Sequence, residues 1–202
     1  MPRRPPLNRR GYYHIGSRGC YGRPLFRDAD EHELFLRLYA RAAAKYEWKT
    51  LAWVLLFNHH HFAIRLTAGG LSEGMRELHG SYSRRLNAVD DETGKGHLVR
   101  HAFFARELKD TPAILGACQY VDLNEPRAKG IAPEASRWSG YRATIGLDPA
   151  RNFHEPNELL RLVAKRREAA MSGYRRFVHE GLGEPEHVWS PNQGDASRAA
   201  HG

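Results

Sequence analysis

One apolar segment, residues 50–66 with the sequence TLAWVLLFNHHHFAIRL, constrains the fold of this chain more than any other feature. Its first half has apolar, β-branched or aromatic side chains at both odd and even positions, which is typical of a strand buried on both faces. Asn58 marks a turn before a second run of the same kind. The segment therefore predicts two adjacent strands that bring three consecutive histidines to one place.

The three histidines divide between the two faces of the predicted sheet. Successive side chains of a strand point to opposite faces, so His59 and His61 share one face while His60 shares the other with Phe62 and Ile64. We expect the sheet to pack through the second face and to leave the first pair available for chemistry. Two imidazoles at this spacing can bind one divalent metal ion if a third ligand comes from elsewhere. Histidine pairs on strands are also found as ordinary packed residues, so the segment alone leaves both interpretations open.

The composition predicts a basic protein outside the membrane. A length of 202 residues is enough for one compact domain and a short appendage. We expect no membrane partner and a cytoplasmic location, because no apolar run is long enough to cross a bilayer and the amino-terminal residues lack the apolar core of a secretory signal. The two cysteines, Cys20 and Cys118, are far apart in sequence, which argues against a disulfide framework or a cysteine zinc site.

Basic residues outnumber acidic residues by eight, 31 against 23, and the excess is clustered. Residues 1–27 contain seven arginines before the first acidic residue, and a second basic cluster lies within residues 161–176. Clustering of this kind suits a polyanion, because each neutralised phosphate releases counterions. A basic surface that is merely solvated is the alternative.

The predicted order of elements indicates an α+β fold. The elements are strand 12–17, helix 31–46, the two strands around the histidines, helix 71–87, strand 99–105 and helix 110–124, which Pro126 is expected to end. This order is compatible with a ferredoxin-like sandwich, an antiparallel sheet with helices on one face and the His59 and His61 pair on the open face. Residues 131–182 suggest a helical C-terminal extension, and residues 183–202 are predicted to be disordered.

The last helix of the predicted sandwich carries two polar side chains near its end. Tyr120 and Asn124 are four residues apart, so they lie on one flank of the helix beside the apolar stripe that packs on the sheet. From that flank they could reach the histidine pair. The alternative makes Tyr120 an aromatic side chain at the edge of the core and Asn124 an ordinary residue near the helix C-terminus.

Two segments together resemble the pattern of a known protein family. Residues 58–62 read NHHHF and residues 120–128 read YVDLNEPRA. They resemble the N-H-x-H and Y-I-x-L-N-P-V-R-A segments of the single-tyrosine HUH transposases, which include the IS200-like and the REP-associated tyrosine transposases. The chain differs in having His60 between the paired histidines and Glu125-Pro126 where the family usually has Pro-Val. Shorter similarities lie at Ser17-Arg18-Gly19, Gly96-His97-Leu98 and Trp138-Ser139-Gly140-Tyr141.

The resemblance implies a catalytic domain over residues 1–130 that cleaves single-stranded DNA bearing a hairpin. Tyr120 would be the nucleophile and would form a 5′-phosphotyrosine link with release of a 3′-hydroxyl. The metal ligands would be His59, His61 and the amide oxygen of Asn124, with Mg²⁺ or Mn²⁺ as the expected ion and zinc as an alternative. Family members are often dimers, so a homodimer is a further expectation.

Ten basic side chains are candidate phosphate contacts for such a substrate. They are Arg3, Arg4, Arg9, Arg10, Arg18, Arg84, Arg85, Lys165, Arg166 and Arg167. Arg84 and Arg85 also suit the C-terminus of the helix that carries them, for electrostatic reasons. Two other functions fit the same features: a non-catalytic nucleic-acid-binding module of this fold, and a metallohydrolase in which Tyr120 only lines the pocket.

Overall fold

The computed structural model describes residues 10–20, 23–89, 98–99 and 103–183, and these form one antiparallel sheet with helices packed against it. The sheet has the strand order β2-β3-β1-β4, which is the order of a ferredoxin-like βαββαβ unit. The elements are β1 (Gly11–Arg18), α1 (Ala29–Lys45), β2 (Trp48–Leu56), β3 (His59–Leu66), α2 (Leu71–Val89), β4 (Phe104–Leu108), α3 (Thr111–Lys129), α4 (Tyr141–Thr144), α5 (Pro156–Val163) and α6 (Arg167–Glu180). The predicted α+β architecture is confirmed.

Helices cover both faces of the sheet. On one face Phe62 and Ile64 of β3 pack in a core with α1 and α2. On the other face Val54 and Ala63 share a second core with α3, including Val121. The prediction of helices on one face, with an open face for the histidine pair, is therefore wrong. The physical reason lies in β2, whose side chains are apolar at both parities, so each face needs a covering layer.

Helix α3 begins where the sequence predicts and ends later. The Asp110 side chain caps its N-terminus by accepting a hydrogen bond from the Ala113 amide at 2.8 Å. The helix continues through Pro126 to Lys129, and Gly130 ends it in the left-handed conformation with φ of 64°. The predicted end at Asn124 is therefore wrong. The turn beyond Asn124 is stabilised by an ion pair of 2.6 Å between Glu125 and Lys129, which offsets the amide donor that proline lacks.

Strand β4 is displaced toward the C-terminus of its predicted range, 99–105. It spans Phe104–Leu108, and Val99 forms an isolated bridge to Gly19, while residues 100–102 of the predicted range lie outside the described residues. The prediction followed the apolar residues, but β4 is an edge strand whose middle carries two exposed charged side chains, Arg106 and Glu107.

The C-terminal helices pack on the sheet's second core and cover the β2 edge. Leu160 of α5 and Tyr174 of α6 share that core with α3 and β2. Ser139 and His154 form bridges to β2, which protects a strand edge that has no other partner among the described strands. The division of the chain at residue 130 stays a prediction. The predicted disordered tail, 183–202, lies outside the described residues except for Gly183, and none of the described helices is long and apolar enough to span a membrane.

Candidate active site

Strand β3 presents its histidines to the two faces as the strand periodicity predicts. His60 points into the α1 and α2 layer, where its Nε2 lies 3.2 Å from Nε2 of His79 and its ring contacts Phe35. His59 and His61 point to the opposite face, with ring centroids 5.3 Å apart. The turn that precedes them is held by backbone hydrogen bonds, including one of 2.8 Å from the Gly19 amide to the Asn58 carbonyl. The position of the histidine pair is therefore set by the sheet.

Helix α3 brings Tyr120 and Asn124 to this pair within one chain. The Asn124 Oδ1 atom lies 3.1 Å from Nε2 of His59, and the Tyr120 ring centroid lies 5.6 Å from that of His61. Tyr120 is only 6% exposed because α3 packs flat on this face of the sheet. The four side chains singled out in the sequence therefore meet at one place, under a helix.

Each ring nitrogen of His59 contacts a side-chain amide oxygen, Nδ1 that of Asn58 and Nε2 that of Asn124. The Asn58 Oδ1 atom lies 2.7 Å from Nδ1 of His59, and the Asn124 Oδ1 atom lies 3.1 Å from its Nε2. Both oxygens can only accept and a neutral imidazole has one N–H, so a ring that donates from Nδ1 to Asn58 keeps an Nε2 lone pair for a cation. Burial is the largest cause that lowers the pKa of His59, with the Arg18 charge adding to it and the Asn124 oxygen opposing it. A lowered pKa favours the neutral imidazole, which is the form that binds a metal ion.

These atoms pass a simple test of fit to a divalent cation. Nε2 of His59 and Oδ1 of Asn124 lie 3.1 Å apart. Two ligands at right angles in an octahedral shell with bonds of about 2.1 Å lie about 3 Å apart. In the described part of the chain, no group of three or more His, Cys, Asp or Glu side chains is arranged to hold a metal ion. The candidate ligand set therefore needs the Asn124 amide beside the two histidines.

Two further residues of the site, His14 and Gly16 on β1, were not found by reasoning from the sequence. Nε2 of His14 lies 3.1 Å from Nδ1 of His61, and the His14 ring centroid lies 5.4 Å from that of Tyr120. Gly16 is paired with His61 across the sheet. Burial lowers the pKa of His14 to about 3 and that of His61 well below its ordinary value. A glycine inside a predicted strand was the available signal, because it marks close approach of a neighbour.

Three of the candidate phosphate contacts lie at the same end of the sheet as the site. Arg18 is exposed and pairs with His59 in the β1–β3 register. Helix α2 runs toward this end, because its Gly74 faces Trp48 at the far end whereas its His79 contacts His60. Two exposed arginines follow on the last turns of that helix, Arg84 and Arg85.

The other described candidates lie at the opposite end. The strand from His59 to Arg65 spans about 20 Å, and Arg65 pairs at 3.2 Å with Glu158 of α5. Arg167 contacts Asn157, which also lies on α5, at 3.4 Å. The exposed cluster Lys165, Arg166 and Arg167 therefore lies near that end. Arg10 precedes the first residue of β1, which pairs with the last residue of β3. Three candidates lie outside the described residues: Arg3, Arg4 and Arg9.

Comparison with known proteins gives matches to transposases. A family model described as "Transposase IS200 like" matches residues 9–124, a range that contains both histidines, Tyr120 and Asn124. A solved structure of a REP-associated tyrosine transposase bound to a REP hairpin aligns with a TM-score of 0.62 at 15% identity, over 74% of this chain and 88% of that chain. A candidate transposase from Deinococcus radiodurans aligns with a TM-score of 0.42 at 13% identity, over 55% of this chain and 89% of that one. None of the curated proteins compared with this sequence matches it.

Proposed function

Because this chain belongs to the IS200-like transposase family, we propose that it is a DNA-nicking and rejoining transposase that uses Tyr120 as its nucleophile and a divalent metal ion. The observation that carries this proposal is the meeting of four side chains in one chain. Asn124 contacts His59 at 3.1 Å, and the Tyr120 ring lies beside His61. A protein that only binds DNA does not require this arrangement.

The proposed reaction is a transesterification at phosphorus. The phenolic oxygen of Tyr120 loses its proton and bonds to phosphorus, while the bond from phosphorus to the 3′ oxygen breaks and that oxygen leaves as a 3′-hydroxyl. The protein is then joined to the 5′ phosphate of the downstream strand. Attack by a 3′-hydroxyl on this link reverses the exchange and rejoins DNA, so no nucleotide cofactor is consumed.

His59, His61 and Asn124 are the proposed ligands of Mg²⁺ or Mn²⁺. When bound, such an ion supplies Lewis-acid polarisation of the scissile phosphate. The protein's own contribution is rigidity: the two imidazoles project from a central strand, and the amide oxygen comes from a helix packed over that strand. This arrangement supports the proposal because a preorganised site needs little reorganisation during the reaction.

Single-stranded DNA with a hairpin is the proposed substrate. The aligned REP-associated transposase is bound to a REP hairpin, and the fold similarity extends over most of both chains. Three exposed arginines at the site end of this chain, Arg18, Arg84 and Arg85, offer contacts to phosphates near the proposed nucleophile. We also propose that the chain forms a homodimer, which a measurement of its mass in solution would test.

The decisive experiment detects the covalent intermediate and its polarity. The purified chain is incubated with Mn²⁺ or Mg²⁺ and single-stranded DNA that carries a hairpin flanked by randomised sequence. The products are then separated on a denaturing gel. A label at the DNA 3′ end should migrate with the protein, whereas a label at the 5′ end should be released on the fragment with the 3′-hydroxyl. A chelator should prevent both changes.

Substitution of the nucleophile completes the test. Tyr120→Phe should remove the adduct, because the phenylalanine ring has no oxygen to attack phosphorus, while binding of DNA is retained. Tyr46→Phe is the matched control, because Tyr46 donates to Glu77 on a helix surface away from the site and should leave the adduct unchanged. An undiminished adduct in Tyr120→Phe would remove Tyr120 from the role. A wild-type chain that binds this DNA without any adduct would favour the non-catalytic binding module.

A further inference from the structure

His14 is a buried histidine that the proposed reaction leaves without a role. Its side chain is 0% exposed, and its Nε2 lies 3.1 Å from Nδ1 of His61. Its other ring nitrogen, Nδ1, is buried and has no hydrogen-bond partner among the described residues. A buried polar atom without a partner lowers the stability of the fold, so we expect His14 to have a function that offsets this loss.

The contact between His14 and His61 requires one donor and one acceptor. In a neutral imidazole one nitrogen carries the proton and the other carries a lone pair. If Nδ1 of His61 is the donor, its Nε2 keeps the lone pair that a cation needs. If Nδ1 accepts instead, Nε2 carries the proton and cannot bind a cation. The direction of this one hydrogen bond therefore decides whether His61 can be a ligand.

We propose that His14 is a positioning residue whose Nε2 accepts the Nδ1 proton of His61 and thereby directs the Nε2 lone pair of His61 to the divalent cation. This inference rests on the proposed function. It also gives the two histidine ligands matching support: Nδ1 of His59 has the Asn58 oxygen as its acceptor at 2.7 Å, and Nδ1 of His61 has His14 at 3.1 Å. Support of this kind fixes both the tautomer and the orientation of a ligand.

The surroundings of His14 hold its ring in place for this role. Its ring centroid lies 5.2 Å from that of Phe104 on β4 and 5.4 Å from that of Tyr120 on α3, both in edge-to-face geometry. Gly16, two residues along β1, leaves the space that the His61 ring occupies. Neighbours from β4 and α3 therefore hold the His14 ring beside Nδ1 of His61.

Metal affinity measured without DNA tests the inference directly. Mn²⁺ is titrated into the full chain while the paramagnetic resonance signal of free Mn²⁺ is recorded. His14→Phe keeps the ring volume but has no acceptor, and it should weaken Mn²⁺ binding about 10- to 100-fold. His14→Gln has an amide oxygen that can accept the same proton, and it should restore most of the affinity.

A second buried histidine pair provides the matched control. His79 contacts His60 at 3.2 Å on the opposite face of the sheet, so His79→Phe removes a similar hydrogen bond away from the site. It should leave Mn²⁺ affinity unchanged. Equal losses of affinity in His14→Phe and His79→Phe, or no loss in a folded His14→Phe, would overturn the inference. A wild-type chain that binds no Mn²⁺ would instead contradict the metal dependence in the proposed function.

The histidine tautomers provide a test that needs no substitution. Nitrogen chemical shifts of the imidazole rings in the wild-type chain with Mg²⁺ should show a proton on Nδ1 of His61 and none on its Nε2. The opposite assignment with the metal bound would overturn the inference. This measurement remains valid even if His14→Phe does not fold.

Discussion

Gly16 is the residue at which the candidate site depends on the absence of a side chain. A Cβ at this position would lie 2.7 Å from Nδ1 of His61 and 2.8 Å from the carbonyl oxygen of His60. The first contact could be relieved by rotating the imidazole, which would move the proposed ligand. The second is with backbone, so its relief requires β1 and β3 to separate. Any larger residue therefore damages the sheet and the site together.

Gly16→Ala should accordingly reduce both stability and metal binding. We expect a loss of about 1–3 kcal/mol in the free energy of unfolding, as for other overpacked interior positions. Mn²⁺ affinity should fall in the protein that remains folded, because the His61 ring is displaced. Denaturant unfolding and Mn²⁺ titration check the two effects. Gly183→Ala is the control, since a Cβ there has no atom of the described residues within 4 Å, and equal behaviour of the two variants would contradict the argument.

The sequence predicted the faces of His59, His60 and His61 because alternation along a strand is a local property. It did not reveal His14 or Gly16, although both lie in the predicted first strand. Their role depends on which residues of β1 lie beside which residues of β3, and His14 is 47 positions from His61 in the chain. Pairing register across so long a separation is set by the packed sheet, so a single sequence contains no direct signal for it.

At the scale of elements, the edge of β2 is protected by a short segment between α4 and α5. The Glu155 amide donates to the Thr50 carbonyl at 2.8 Å, and Nε2 of His154 donates to the Leu51 carbonyl at 3.1 Å. His154 is 5% exposed and lies close to Gly140, where a Cβ would be 2.9 Å from its ring. A proton added to this ring would place a charge in the core.

His154 should therefore make the fold sensitive to acid. Burial lowers its pKa to about 4, against the opposing effects of the Leu51 carbonyl and the Glu155 charge. In the unfolded chain the ring titrates near 6.5, so the unfolded chain binds more protons between about pH 6.5 and pH 4. Stability is then lost as the pH falls through this window, by about 3 kcal/mol from this group. His154→Gln, which keeps a donor for the Leu51 carbonyl, should reduce the loss.

Urea unfolding of wild type and variant at several pH values between about 7 and 4 measures this difference. Other buried histidines add to the slope in both proteins, so the informative quantity is the difference between them. His179→Gln is the control, because His179 is exposed and pairs with Glu134. Parallel curves for wild type and His154→Gln would contradict the assignment.

The order of strands and helices followed from hydrophobic period, whereas the layer of each helix did not. The helix containing Tyr120 was expected beside an open face and instead lies over it, because β2 buries both of its faces. Its predicted end was wrong because a proline removes one amide donor without preventing the last turn. Strand β4 was misplaced because an edge strand does not require apolar side chains in its middle. The first and the last of these errors come from the place of an element in the packed sheet, which a local pattern does not contain.

At the scale of the whole molecule, two groups of described basic side chains lie at opposite ends of the sheet in a chain whose net charge is +8. Arg18, Arg84 and Arg85 lie at the end that carries the candidate site, and Lys165, Arg166 and Arg167 lie at the other end. A short single strand bound at Tyr120 meets only the first group, since the ends are about 20 Å apart along β3. The second group, at the opposite end, can contact only a longer substrate.

Neutralising each group should therefore affect the binding of a short single strand differently. The double substitution Arg84→Gln and Arg85→Gln should weaken binding and reduce the slope of log K against log salt concentration by about 0.7 per lost phosphate contact. The double substitution Arg166→Gln and Arg167→Gln removes the same charge and should change the slope less. Fluorescence anisotropy over a series of salt concentrations measures both. Equal changes would show that net charge, not location, determines binding.

The meeting of all four candidate groups in one chain has a consequence for assembly. If the site is complete within each chain, a copy with His61→Ala cannot supply its Tyr120 to the histidine pair of a copy with Tyr120→Phe. Mixing these two inactive variants should leave the protein–DNA adduct absent, even if light scattering shows a homodimer. Each variant mixed with wild type serves as the control, because adduct formation should persist in proportion to the wild-type chain. Adduct formed by the two mixed variants would mean that Tyr120 of one copy acts with the histidine pair of another copy. The position of α3 beside the histidine pair of its own chain would then not be the one in which DNA is cut.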